Sequence, residues 1–227
     1  MRHFAEELEE LNQALLEMSA LVESSIHTAV QSLVEHDDRL ARRVMEDENL
    51  VNRMELDLDA RVTRLLALNQ PVAGDLRLLV MCLKINTDLE RMGDLAVSVA
   101  DRSISLNALH TSDASLQTLG QPLIDTPRMA ALAEDMLHRA LDSFVKRDAA
   151  LAQDVLPADD EVDQIRNRIY EDLIALMQRD PTLVPAAVHL MSVARNLERI
   201  ADHATNIAED VIYLVRGVDV RHHAAEI

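Results

Sequence analysis

The strings Asp88-Leu89-Glu90-Arg91-Met92-Gly93-Asp94 and Asn196-Leu197-Glu198-Arg199-Ile200-Ala201-Asp202 decide how this chain is read. They lie 108 residues apart (88 to 196) and share Leu, Glu, Arg and Asp at matching places. Carried forward, the offset pairs Ser98 with Asn206 and Asp101 with Glu209. Upstream, an offset of 111 (48 to 159) aligns Glu48-Asn49-Leu50-Val51-Asn52 with Asp159-Asp160-Glu161-Val162-Asp163. The same register pairs Met54 with Ile165, Val62 with Leu173, and Ser32-Leu33 with Ser143-Phe144. The change of three between the offsets means that turn lengths differ between the halves. Self-similarity at a fixed spacing marks a repeated supersecondary unit. The chain reads as one such unit duplicated.

Apolar spacing says what the unit is. Leu8, Leu11, Leu15, Met18, Val22, Ile26, Ala29 and Leu33 recur at steps of three and four, one stripe of a long helix. Val51, Met54, Leu58, Val62 and Leu65 repeat the pattern in a second helix, which Pro71 breaks. A third helix is expected over about residues 72–106, with Pro71 in its first turn. Residues 107–127 are rich in Ser, Thr, Asn and Asp and weakly periodic, so they read as a linker. Thr126-Pro127 reads as a cap followed by a first-turn proline. Helical patterning resumes with Met129, Leu132, Met136, Ala140 and Phe144, and again with Val162, Ile165, Ile169, Leu173 and Leu176. A break or kink is expected at Pro157, and Asp180-Pro181 opens a last helix that ends near Arg216-Gly217. The expected fold is all-α: two tandem three-helix bundles of elongated antiparallel helices, residues 1–108 and 127–227, the second with a short C-terminal tail, joined by a linker at 109–126.

Composition agrees and excludes alternatives. Of 227 residues, 40 are Asp or Glu and 22 are Lys or Arg, a net charge of −18. Hydrophobic residues reach 48%, so this is no disordered acidic tail. A chain of this length can bury roughly 70–75% of its unfolded surface. The acid excess argues against nucleic acid and against direct binding of anionic lipid. It leaves cations and basic protein partners open. With 4 Gly and 6 Pro, few tight turns are available, and 2% aromatics with no Trp leave no base-stacking platform. Cys82 stands alone inside the apolar run Leu78 to Leu83 and reads as a core residue. That run is far short of the roughly 20 residues needed to span a bilayer. No basic-then-apolar leader opens the sequence, so a soluble, cytoplasmic product is expected.

The chemistry lies in acidic stripes. Glu90, Asp94, Ser98 and Asp101 share a helix face, and Glu198, Asp202, Asn206 and Glu209 repeat it. If the second and third helices of each half fold back on one another, Glu48/Asn52 meet Glu90/Asp94, and Asp159/Asp163 meet Glu198/Asp202. Oxygen-only donors suit hard ions such as Mg²⁺, Mn²⁺ or iron. Facing helices are where bundle proteins build carboxylate metal sites. The plainer alternative is a solvated face whose acids pair with Arg53, Arg91, Arg195 and Arg199. His203 could add a nitrogen, but adjacent helical residues do not share a face, and its counterpart is Leu95. No phosphate loop, GxSxG elbow or HExxH motif occurs. Glu-x-x-His pairs are absent too; Glu23/His27 and Glu134/His138 are spaced by four. The residues therefore point to a non-enzyme, either a cation-binding regulator or a ligand-free scaffolding bundle.

The paired strings KINTDLERMGDLAVSVAD and SVARNLERIADHATNIAEDV, with the opening FAEELEELNQALLEMSALVESSIHTAV, resemble the PhoU family of phosphate-signalling regulators over about residues 4–215. The resemblance implies a cytoplasmic negative regulator of the phosphate-starvation response. It would link a phosphate-specific ABC transporter, through its ATPase, to a membrane sensor histidine kinase, and would form homodimers. It also implies metal clusters on E/DxxxD motifs, which fall here on Glu90/Asp94, Glu198/Asp202 and Asp159/Asp163. The fourth motif departs, because Asn52 follows Glu48 where a second acid is expected.

Overall fold

Seven α-helices and one 3₁₀ turn form among the described residues, 2–109 and 119–220, of the computed structural model. Helix α1 (Arg2–Val34) buries the stripe Leu11, Leu15, Met18, Val22, Ile26, Ala29 and Leu33. Helices α2 (Asp38–Asn69) and α3 (Ala73–Leu109) complete the first unit. The second unit holds α4 (Gln121–Lys146), the short α5 (Ala149–Gln153), α6 (Pro157–Arg179), a 3₁₀ turn (Pro181–Leu183) and α7 (Val184–Arg216). Residues 110–118 of the expected linker and 221–227 of the expected tail lie outside the described residues. No helix among the described residues is long and apolar enough to cross a membrane.

The duplication reaches the backbone. His36 (φ 55°) and Arg147 (φ 51°) are 111 apart, and both turn the chain through the left-handed region. The next residue caps in each case. Asp37 accepts from Arg39 N, and Asp148 Oδ1 accepts from Ala150 N at 2.8 Å and Leu151 N at 3.3 Å. Just before, Ser32 Oγ donates to Ala29 O at 2.7 Å and Ser143 Oγ to Ala140 O at 2.6 Å, both buried. Asp148→Ala should therefore cost about 1 kcal/mol. A urea-unfolding midpoint unchanged from the parent would remove that capping role.

Three prolines separate expectation from outcome. Pro157 does break the helical pattern, leaving α5 as a separate turn and opening α6. Pro71 does not start α3. It lies in the connection after Gln70 (φ 46°), whose N–H closes α2 on Leu66 O. Pro127 lies inside α4, and Thr126 is not the cap. Gly120 (φ 58°) and Pro122 open this helix instead, and the buried Thr126 hydroxyl donates to Pro122 O at 2.9 Å. Near a helix start, Pro127 forfeits only one backbone hydrogen bond, so the helix runs through it.

The two units share a core. Apolar residues of both join one buried cluster, and the most extensive interface is α3 against α7. These helices are antiparallel: Lys84 Nζ donates to Asp210 Oδ1 at 2.7 Å, and Asp88 Oδ1 lies 2.8 Å from His203 Nδ1. Cys82 is buried in this shared core, and burial pushes its thiol up to about 12, as a core residue requires.

Candidate functional site

The first patch is set by the close approach of α2 and α3. A Cβ on Gly93 would stand 3.2 Å from Val51 Cγ1, so glycine lets the helices meet. Asn86, buried on α3, donates to Glu55 O at 2.9 Å and Asp59 Oδ1 at 3.0 Å, pinning α2 in register. This brings Glu48, Glu90 and Asp94 together. Burial first, then the charge of Asp94 and a hydrogen bond with it, push the Glu48 carboxyl above the usual range. Burial and Asp94 do the same to Glu90, helped by Glu55 and Glu48 and opposed by Arg91. Upward shifts of this origin mark carboxylates crowded together. Arg91 lies on the rim, Nε 3.5 Å from Glu90 Oε2 and Nη1 3.7 Å from Asp94 Oδ2. The Asn52 side chain is exposed and bonds to no described residue. Glu55, one turn after Glu48's i+4 neighbour, faces Glu90 in its stead.

The second patch gathers all four expected acids, Asp159 and Asp163 from α6 with Glu198 and Asp202 from α7. Burial and then Asp202 and Asp163 push Asp159 up, against a hydrogen bond of 3.3 Å from Thr205 Oγ1. Burial and then Glu198 and Asp163 push Asp202 up, against His203 and Arg166. Arg166 reaches into this patch. Its Nη2 donates to Asp163 Oδ1 at 2.9 Å, and Nη1 lies 3.7 Å from Glu198 Oε1.

Glu55 and Arg166 occupy the same place in the two repeats, 111 residues apart, and the sequence reading named neither. Both sit seven residues after the first acid of their motif, a spacing that returns to the same helix face. That periodicity was the available signal. The patches are thus unlike: the first has an added acid, the second its own half-buried cation. Of the arginines expected to neutralise the acids, Arg91 does so. His203 turns to Asp88 rather than into the patch.

Among the described residues, no three His, Cys, Asp or Glu side chains already stand at the spacing a bound ion requires. The donor chemistry nevertheless suits a hard cation: only oxygen atoms, half-exposed, and electrostatically strained against one another. Such an arrangement can bind cations or basic side chains. It offers no nucleophile paired with a base.

Comparison with known proteins places these features in a family. The model of the PhoU domain matches residues 15–103 and again 126–211. A phosphate-specific transport system accessory protein PhoU homolog from Pseudomonas aeruginosa is 39% identical over 221 residues, covering 97% of this chain and 88% of its relative. The crystal structure of PhoU from Pseudomonas aeruginosa superposes with a TM-score of 0.88 at 38% identity, over 95% of this chain and all of that one. That of the phosphate transport system regulatory protein PhoU from Streptococcus pneumoniae gives 0.83 at 28% identity, over 96% and 99%. Two copies of one domain, matched over nearly the whole length in sequence and fold, show that the chain belongs to the PhoU family.

Proposed function

We propose that this chain regulates phosphate uptake as a negative regulator of the phosphate-starvation response. In the cytoplasm it would couple the ATPase of a phosphate-specific ABC transporter to a sensor histidine kinase. The carrying observation is the near-full-length match to proteins named accessory to the phosphate-specific transport system. Relatives with that name are accessory and regulatory proteins, and the chain is not an enzyme. Its part is to contact other proteins, reaching the membrane only through them, and a homodimer is the expected assembly. Nucleic acid is no partner for a chain of net charge −18.

Metal belongs to this reading. Glu48, Glu90 and Asp94, with Glu55 and the exposed Asn52, would hold Mg²⁺, Mn²⁺ or iron in the first patch. Asp159, Asp163, Glu198 and Asp202 would do so in the second. Bound ions would relieve the repulsion among the acids and stiffen each pair of helices.

Deletion of the gene should derepress phosphate-scavenging genes at high phosphate, read as alkaline phosphatase activity or transcript level. Full repression at high phosphate in the deletion strain would count against the regulatory assignment.

A further inference from the structure

The long third helix of each repeat carries an apolar stripe on its outer face. Leu76, Val80 and Leu83 on α3 stand at i, i+4 and i+7. Val184, Val188 and Met191 on α7 follow 108 residues later, place for place, in the register that also pairs Glu90 with Glu198. Exposure repeats with position. Leu76 and Val184 are 42% and 39% exposed, Val80 and Val188 are 38% and 50% exposed, and Leu83 and Met191 are both half-buried. Single exposed apolar residues are ordinary on a protein surface. Three in helical register, apolar and exposed in both repeats, are not scattered singles. The core does not require them, because α3 faces it with Leu78, Leu79 and Cys82, and α7 with Ala187, Leu190 and Ala194.

Each stripe leads into an acidic patch on the same helix face. Steps of seven carry Leu76 through Leu83 to Glu90, and Val80 through Thr87 to Asp94. On α7 the same steps carry Val184 through Met191 to Glu198, and Val188 through Arg195 to Asp202. The neighbouring helix of the second repeat keeps the same order. Tyr170 Oη on α6 donates to Met191 O at 3.2 Å, and Asp159 lies further up, accepting from Thr205 on α7. Helices α6 and α7 are therefore antiparallel, and the exposed Ile174 comes level with Val188. In the first repeat, a cavity of about 410 Å³ opens where the stripe meets the acids, with Leu83, Lys84 and Thr87 in its wall.

We infer that each of these tracks docks an amphipathic helix of a partner protein, one with apolar side chains at i, i+4 and i+7 and Lys or Arg about two turns beyond them. Anchors at that spacing are how a helix lies on an apolar surface. The carboxylates at the far end choose a basic partner and fix its direction. A second copy of this chain fits poorly, because track against track sets acids against acids or against leucines. The two sites are unequal. Thr87 leads to the first patch, where Glu55 adds a charge, whereas Arg195 and Arg166 stand in the second. The first track is therefore the tighter.

The test is calorimetric titration of the chelator-treated full chain with a synthetic helical peptide of about 20 residues, long enough to carry Leu at i, i+4 and i+7 and three Lys two turns on. The parent should bind two peptides. Leu76→Glu/Val80→Glu should keep only the weaker site, and Val184→Glu/Val188→Glu only the tighter. All four positions are exposed, and an unchanged helical circular-dichroism signal shows that the variants fold. Glu90→Gln/Asp94→Gln should weaken the tighter site by up to about fivefold per charge, the range of exposed ion pairs. A peptide with Glu in place of Lys should bind at least about tenfold more weakly, since like charges then oppose docking. No binding to the parent, equal affinity for the Glu peptide, or two peptides still bound by the stripe variants would overturn the proposal. So would a parent that sediments as a dimer while the stripe variants sediment as monomers and bind the peptide unchanged, which would assign the stripes to a second copy. None of these outcomes touches the regulatory reading, which gene deletion tests separately.

Discussion

Alanine at Glu90, Asp94, Glu198 and Asp202 together is expected to strip bound metal from the protein and erase the thermal gain that Mn²⁺ gives the parent. An ion that binds only the folded chain stabilises it by about 2.7 kcal/mol at a hundredfold excess over Kd. For a chain of this length that is roughly 5–11 °C in melting temperature. Without metal the order should reverse. Glu90 and Asp202 have carboxyls raised in the folded state. A raised carboxyl binds more protons folded than unfolded, so its contribution to stability falls as pH rises from the ordinary carboxylate range through the folded value. At neutral pH these acids therefore oppose folding, and the metal-free variant should melt above the metal-free parent. Loss of the Arg91 and Arg166 pairs takes back at most about 1 kcal/mol, because these are partly exposed. The crossing of the two orders separates a metal site from a solvated acidic face. Equal metal content, or melting curves of parent and variant that respond alike to Mn²⁺, would sink the site.

What was legible in the sequence follows from what a helix makes periodic. The stripe from Leu11 to Leu33 is buried as its spacing requires, and the acids at 90 and 94, and at 198 and 202, share faces because four residues return nearly one turn. The duplicated cap at Asp37 and Asp148 is equally local. Less legible were features in which two local signals compete. At the start of α4, Gly120-Gln121-Pro122 and Thr126-Pro127 are both plausible openings, and the earlier one prevails because Thr126 finds its partner inside the helix. Least legible were pairings between distant helices. That α3 lies against α7, that Asp88 meets His203, and that Arg166 turns into the second patch depend on how whole units dock. The repeat offset fixed which residues correspond, but not which of them touch.

Gly93 gives the other large effect. Leucine there should lower stability by about 3 kcal/mol, roughly 6–12 °C in melting temperature. Its Cβ alone would stand 3.2 Å from Val51 Cγ1, a branched side chain fixed in the core, and three further carbons have no space between α2 and α3. Alanine is the informative contrast. It gains about 1 kcal/mol of helix propensity over glycine and needs the neighbour to move only slightly. The second repeat has made that exchange already, with the buried Ala201 at the position of Gly93 and Val162 at the position of Val51. Gly93→Ala should therefore melt within a few degrees of the parent, while Gly93→Leu should also separate Glu48 from Glu90 and Asp94 and weaken metal at the first patch alone. A leucine variant as stable as the alanine variant would mean that α2 and α3 have slack at this level. The crowding of carboxylates would then owe nothing to the glycine. The expected gap between the two variants measures how tightly the backbone, rather than the acids themselves, holds the patch together.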